Sequence, residues 1–211
     1  MIISVSRIRA ALAASLLIME ISQPTLALEP EREPNNIGLV LFSQRKPATL
    51  QLENAAKAGD AESQFYLAEE LRNKARSITP EAAFWYEKAA LKGDIYSLYR
   101  LATMDNDLCM LMENCPISGK KHLWWREVLQ HVLEARIQNG DGEAMQMMYM
   151  LSTDFQWLKK SAAAGYAEAQ CWLADKYLDG KGFFWPGQRN AESMRLLKLC
   201  AEGGNPQGIN R

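Results

Sequence analysis

With 48% hydrophobic and 23% charged residues over 211 positions, the chain sits inside the globular range, and a formal net charge of -1 leaves no electrostatic footprint for nucleic acid. Its two histidines, His122 and His131, are too few for a histidine-built metal site, and no acidic cluster or glycine-rich phosphate loop replaces one. Those exclusions lower the expectation of an enzyme.

The first 27 residues read as an export address. Arg7 and Arg9 form a basic n-region, residues 10–19 are the apolar run of a signal h-region, and Thr25-Leu26-Ala27 offers small residues where a signal peptidase reads. The run is too short to span a membrane. Glu20 is awkward so close to the apolar stretch, which keeps an uncleaved amphipathic helix as the alternative. Cleavage after Ala27 removes Arg7, Arg9 and Glu20 and leaves a mildly acidic mature chain at -2. No cysteine lies near the cut, so no lipid anchor is suggested. All four cysteines fall in the mature part, an even number that suits an oxidising compartment such as the bacterial periplasm. Cys109 and Cys115 flank a short segment near Asp105, Asn106, Asp107 and Pro116, and a small loop disulfide fits there sterically. Buried free thiols are the alternative for every cysteine.

Residues 28–48 carry four charged side chains ahead of an apolar stretch at 37–42, with Pro30, Pro34 and Pro47, and read as an extended N-terminal arm. From residue 49 the chain turns alanine-rich and helical in period, and a self-similar unit recurs. It reads Ala55-Ala56-Lys57-Ala58-Gly59, Ala89-Ala90-Leu91-Lys92-Gly93, Ala135-Arg136-Ile137-Gln138-Asn139-Gly140, Ala162-Ala163-Ala164-Gly165 and Leu199-Cys200-Ala201-Glu202-Gly203. After the first four glycines the pattern predicts helices over 61–71, 95–102, 143–151 and 167–178. Glycine just past a helix end takes the left-handed cap conformation without side-chain cost, and small residues before it let the next helix cross closely. The unit is a helix hairpin, and hairpins must stack to bury their apolar faces.

At these residues the chain resembles a known family. The blocks Ala61-Glu62-Ser63-Gln64-Phe65-Tyr66-Leu67-Ala68, Phe84-Trp85-Tyr86-Glu87-Lys88-Ala89-Ala90-Leu91-Lys92-Gly93 and Gly165-Tyr166-Ala167-Glu168-Ala169-Gln170-Cys171-Trp172-Leu173-Ala174 resemble Sel-one-like repeats, a subclass of tetratricopeptide-like helical repeats. The resemblance covers about residues 50–206 and is strongest in the first and fourth units, whose second helices are expected over 80–91 and 190–202. It implies an all-α fold over residues 49–211, an α-solenoid of antiparallel helix hairpins. The middle departs from the pattern: Gly93 to Gly140 spans 47 positions, with an insertion around 109–121, whereas Gly140 to Gly165 spans 25 because the turn after Leu151 is nearly absent. Regular stacking is least expected there. After Gly203-Gly204-Asn205-Pro206, where another repeat would begin, either a capping helix is missing or something else covers the open end. The repeat arrangement also makes Cys171 with Cys200 the preferred second disulfide, because antiparallel helices bring those ends together.

Aromatics at helical spacing, Phe65, Tyr66, Trp85, Tyr86, Trp157 and Trp172, are expected in the inter-repeat core. Two clusters stand apart as candidate partner-binding residues. Phe183, Phe184, Trp185 and Arg189 follow Asp179-Gly180-Lys181-Gly182 in an inter-helix turn, where they either form a binding hot spot or fold back to cap the solenoid end. Trp124 and Trp125 open a long helix, and one ring must point away from whatever the other packs against. A catalytic reading does not assemble: Cys115 and His122 lie seven residues apart without an orienting group or an oxyanion site. No enzyme, cofactor or metal is therefore expected, and no stable membrane insertion after signal cleavage.

The resemblance implies a protein-binding module with a concave surface lined by first helices and flanked by the aromatic loop. Exported proteins of this family include immunity proteins that neutralise toxic effectors delivered into the periplasm, such as type VI phospholipases, and similar size, compartment and acidic balance make that the most specific expectation. A periplasmic regulator binding a membrane sensor protein is the alternative, and a weak hydrolase or penicillin-binding relative the third.

Overall fold

The computed structural model describes residues 37–116 and 120–204; the expected signal peptide and residues 28–36 of the arm lie outside them. The described residues form α1 (Ile37–Ser43), α2 (Thr49–Ala58), α3 (Ala61–Ala75), α4 (Pro80–Ala90), α5 (Ile95–Ala102), a 3-10 turn (Met104–Asn106), α6 (Leu108–Leu111), α7 (His122–Gln138), α8 (Gly142–Ser152), α9 (Phe155–Ala163), α10 (Ala167–Leu178) and α11 (Gln188–Glu202). No strand occurs among them.

Aspartate starts most first helices. Asp60, Asp94 and Asp141 accept from the backbone N–H of Ser63, Ser97 and Ala144 at 2.8, 2.6 and 3.1 Å, satisfying a donor that the helix cannot. In the fourth unit Tyr166 takes that position and offers no side-chain cap. The preceding helices stop where Gly59, Gly93, Gly140 and Gly165 take positive φ, as the repeated unit requires. The fifth unit differs from expectation: Gly203 has φ -74 and caps α11 with ordinary backbone, and the left-handed residue is Gly204.

Three residues after each cap position stands a small residue, Ser63, Ser97, Ala144 or Ala169, and all four are fully buried. A larger side chain there would push the neighbouring helix away, so the small positions set how closely the elements cross. The result is an all-α solenoid of antiparallel helix hairpins, α3 with α4, α5 with α7, α8 with α9 and α10 with α11, each second helix packing on the next first helix. The stack is continuous through the middle, where irregularity was expected. One apolar cluster runs from Ala68 and Tyr86 through Leu98, Trp125 and Leu129 to Met147, and a second joins Leu158, Ala169, Leu173 and Leu196. The compact third hairpin closes with two residues because Thr153 takes φ 59 and Asp154 caps α9 through the N–H of Gln156.

The arm also differs from its reading as extended chain. Residues 37–43 are helical, and Leu39, Leu41 and Phe42 pack on a small cluster of Ala48, Leu52, Ala56 and Leu67. Gly38 permits this: a Cβ there would sit 2.9 Å from the Leu52 nitrogen. Apolar periodicity at 37–42 outweighed the flanking prolines.

The insertion between α5 and α7 is tied down by Asp107. Its carboxylate accepts from the backbone N–H of Ile78 at 2.9 Å and Cys109 at 3.1 Å, and from Arg72 Nε at 3.0 Å. Burial alone would push that carboxyl up; the two N–H donors and the guanidinium outweigh it and hold it below the usual carboxylate range. A Cys109–Cys115 disulfide closes the loop, with Cys109 fully buried. No described helix is long and apolar enough to cross a membrane.

Candidate partner-binding surface

The loop between α10 and α11 carries Phe183, Phe184 and Trp185 outside any helix, and the three rings go to different surroundings. Phe184 turns inward and packs edge-on against Tyr177 at 4.7 Å, joining the C-terminal core. Phe183 and Trp185 turn outward, 85% and 68% exposed, and touch each other edge-to-face at 5.9 Å. The fold-back reading therefore describes Phe184, while Phe183 and Trp185 stay exposed.

Arg189 serves the loop from beneath. Its Nη1 donates to the carbonyls of Tyr177 at 2.7 Å and Lys181 at 2.8 Å, its Nη2 donates to Gly182 at 3.1 Å, and the guanidinium lies 5.0 Å over the Phe184 ring. Arg189 thereby commits donors to carbonyls at the end of α10 and in the loop, which holds the loop on the hairpin. Gly182, at φ 77, lets the chain pass Tyr177 and Phe184 closely. Toward the other end of the hairpin, the Cys171–Cys200 disulfide staples α10 to α11, with both residues buried.

The second cluster divides differently. Trp125 is 2% exposed and packs in the central cluster, so it is core and not surface. Trp124 is 37% exposed, with the Lys120 ammonium 4.9 Å over its ring. Phe65, Tyr66, Trp85, Tyr86 and Trp172 pack in or against the clusters as expected. Trp157 departs from that pattern: it lines a surface cavity beside Gln130, Glu134 and Met148, under the Lys160 ammonium at 4.1 Å. Cys115, weighed against His122 as a nucleophile, is oxidised in its disulfide and offers no thiolate.

A third constellation was not singled out in the sequence. Arg136 Nη2 donates to Glu143 Oε2 at 2.6 Å, and its Nε donates to Asp141 at 2.6 Å. Tyr96 Oη donates to Glu143 Oε1 at 2.9 Å and lies 3.5 Å from Tyr166 Oη, which reaches Glu168 Oε2 at 3.5 Å. This chain of contacts links the second, third and fourth hairpins. Burial, with the Tyr166 hydrogen bond and the nearby Glu143 carboxylate, pushes the Tyr96 phenol far above its usual range; burial and the carboxylates of Glu143 and Glu168 also raise Tyr166. The signal was present in the repeat alignment, where Glu62, Tyr96, Glu143 and Glu168 all stand two residues after the cap position.

No known family model matches the chain, and no curated protein matches it. Among solved structures it is similar to a Sel1 repeat protein from Oxalobacter formigenes, with 24% identity and a TM-score of 0.42 over 82% of this chain and 51% of that one. It is also similar to a protective antigen present in uropathogenic Escherichia coli strains and displaying an SLR fold, with 21% identity and a TM-score of 0.40 over 82% of this chain and 38% of that one. The chain thus spans about half the length of the first and less than two fifths of the second.

Proposed function

We propose that this chain is a periplasmic protein-binding module, and specifically an immunity protein that binds and neutralises a secreted toxic effector such as a type VI phospholipase. The observation that carries the binding reading is the outward pair Phe183 and Trp185 on a loop clamped by Arg189 and Phe184. Exposed apolar rings cost hydration free energy that a monomer does not recover, and tryptophan and other aromatics dominate interface energetics. Holding the rings in place before encounter removes part of the ordering cost of binding. The signal-like first 27 residues and the two disulfides support an exported location. Occlusion of an enzyme by a rigid docking edge requires no chemistry from the inhibitor, and the aromatic loop is such an edge.

The mature chain, purified with a type VI phospholipase effector, is expected to form a stable complex and abolish that enzyme's activity. Trp185→Ala should weaken the complex by about 2 kcal/mol or more, the hot-spot range. A chain that neither binds nor inhibits that enzyme, and instead retains the sensor part of a membrane signalling protein, would sink the immunity reading in favour of the regulatory one.

A further inference from the structure

Between α5, α8 and α10 lies a small groove whose walls are the rings of Tyr96, Tyr166 and Trp172 and the thioethers of Met147 and Met150. Gln146 completes the lining; the residue is only 4% exposed, yet its Oε1 has no hydrogen-bond partner. That oxygen is shut off from solvent, so a donor reaches it only as the flexible methionine wall gives, but an orphaned buried acceptor is costly and a donor that satisfies it is worth more than on an open surface.

The charges around the groove favour a cation. Glu143 and Glu168 line the groove, Asp94 and Asp141 stand nearby as caps of α5 and α8, and Arg136 is shared between Asp141 and Glu143. Each helix start offsets about half a charge. Four carboxylates against one guanidinium and three helix starts still leave the groove negative. Glu168 makes no ion pair among the described residues and receives one long contact from Tyr166. Tyr96 Oη donates to Glu143 Oε1 and Tyr166 Oη lies 3.5 Å from Glu168 Oε2, so the groove presents carboxylate acceptors and aromatic faces.

We infer that this groove takes the guanidinium of an arginine side chain presented by the protein partner. A planar guanidinium carries five donors in a fixed fork, stacks on aromatic faces and is weakly hydrated, which matches a Glu168 carboxylate, an orphaned Gln146 oxygen and a wall of rings. Lysine offers one compact, strongly hydrated ammonium and matches only the charge. The cavity, about 80 Å³, is far below the several hundred Å³ of pockets that enclose whole metabolites, and it suits the head of one side chain. Methionines let the wall adjust around the ligand. The inference rests on the reading of the chain as a protein-binding module, but its surface is separate from the aromatic loop.

The test titrates the full mature chain with N-acetyl-arginine amide, and with the blocked lysine and norleucine equivalents, following the Trp172 indole resonance by NMR after assignment with Trp172→Phe. Arginine should give a saturable shift, lysine should bind about fivefold or more weakly, and Glu168→Gln should weaken arginine about tenfold, the loss of one charge-assisted contact. Gln146→Met, which keeps the volume and removes the oxygen, should weaken it as well, with the circular-dichroism melt confirming the fold. Equal responses to arginine and lysine, no arginine response, or unchanged binding by Glu168→Gln overturns the inference. If Trp185→Ala abolishes capture of the partner enzyme while Glu168→Gln and Gln146→Met capture it undiminished, the groove is wrong and the protein-binding reading stands.

Discussion

Trp124–Trp125 and Phe183–Phe184–Trp185 have similar composition and opposite outcomes. On α7 adjacent side chains diverge by about 100°, so one indole is driven into the core while its neighbour stays at the surface under Lys120. In the α10–α11 loop no helix fixes that angle, and one ring packs inward on Tyr177 while the other two stay exposed and touch each other. A helix therefore converts an aromatic pair into an anchor and a bystander, whereas the loop converts a triplet into a peg and an exposed pair of rings. The difference lies in backbone geometry, and each half of it can be tested.

The largest effect is expected at Trp125. Trp125→Ala should cost about 3–5 kcal/mol in urea unfolding, the range for emptying a large aromatic site. Trp124→Ala should cost less than about 1 kcal/mol. Trp125 Nε1 is buried without a partner, so Trp125→Phe should cost much less than alanine, because it removes an orphan donor along with part of the ring. Comparable losses at both tryptophans would break the helix half of the comparison.

The disulfide of the last hairpin comes next. Cys171→Ala with Cys200→Ala opens a crosslink of sequence separation 29 and should lower stability by about 3–4 kcal/mol, against roughly 2 kcal/mol for the shorter Cys109–Cys115 loop. Thermal melts of the two double variants would rank them. A reversed ranking would place more of the fold's stability in the insertion than in the hairpin that carries the docking edge.

Much of this was legible in the sequence. The glycine-punctuated unit gave four first helices to within a few residues, because caps and small residues act locally and leave a direct trace. The two cysteine pairings also followed from proximity along one loop and within one hairpin. What could not be read was which ring faces outward, since that depends on whether a short segment is helical or extended. Arg189 looked like a binding residue because its three carbonyl acceptors come together only once the loop is folded. The Tyr96–Glu143–Tyr166 contacts bring together residues up to 70 positions apart in three hairpins, and no single window of sequence contains them.

Acid should act on the insertion beside Trp125. Asp107 has a folded pKa below the unfolded value of about 3.9, so its stabilising contribution is full above the unfolded value and is lost as pH falls through the folded one. Asp107→Asn removes the charge partner of Arg72 and should be about 1–3 kcal/mol less stable than wild type at neutral pH. That gap should close progressively as pH falls below the unfolded value and through the lower folded one, read as converging urea midpoints. A gap that persists unchanged in acid would mean that Asp107 acts by shape rather than by charge.

The smallest stability effect carries the most weight for function. Phe183 and Trp185 contact mainly each other and water, so Trp185→Ala should shift the urea midpoint by no more than about 0.5 kcal/mol. Arg189→Gln should cost about 1–2 kcal/mol, because the carbonyls it gathers are partly exposed and water can replace the lost donors. Limited proteolysis separates the two: cleavage within residues 179–187 should speed up in Arg189→Gln and stay at the wild-type rate in Trp185→Ala. Loss of partner binding with unchanged stability and proteolysis in Trp185→Ala marks a ring that works at the interface. A loss of more than about 1 kcal/mol there would mean that the outer rings pack on the hairpin, and the loop would then be a cap for the solenoid end rather than an edge for docking.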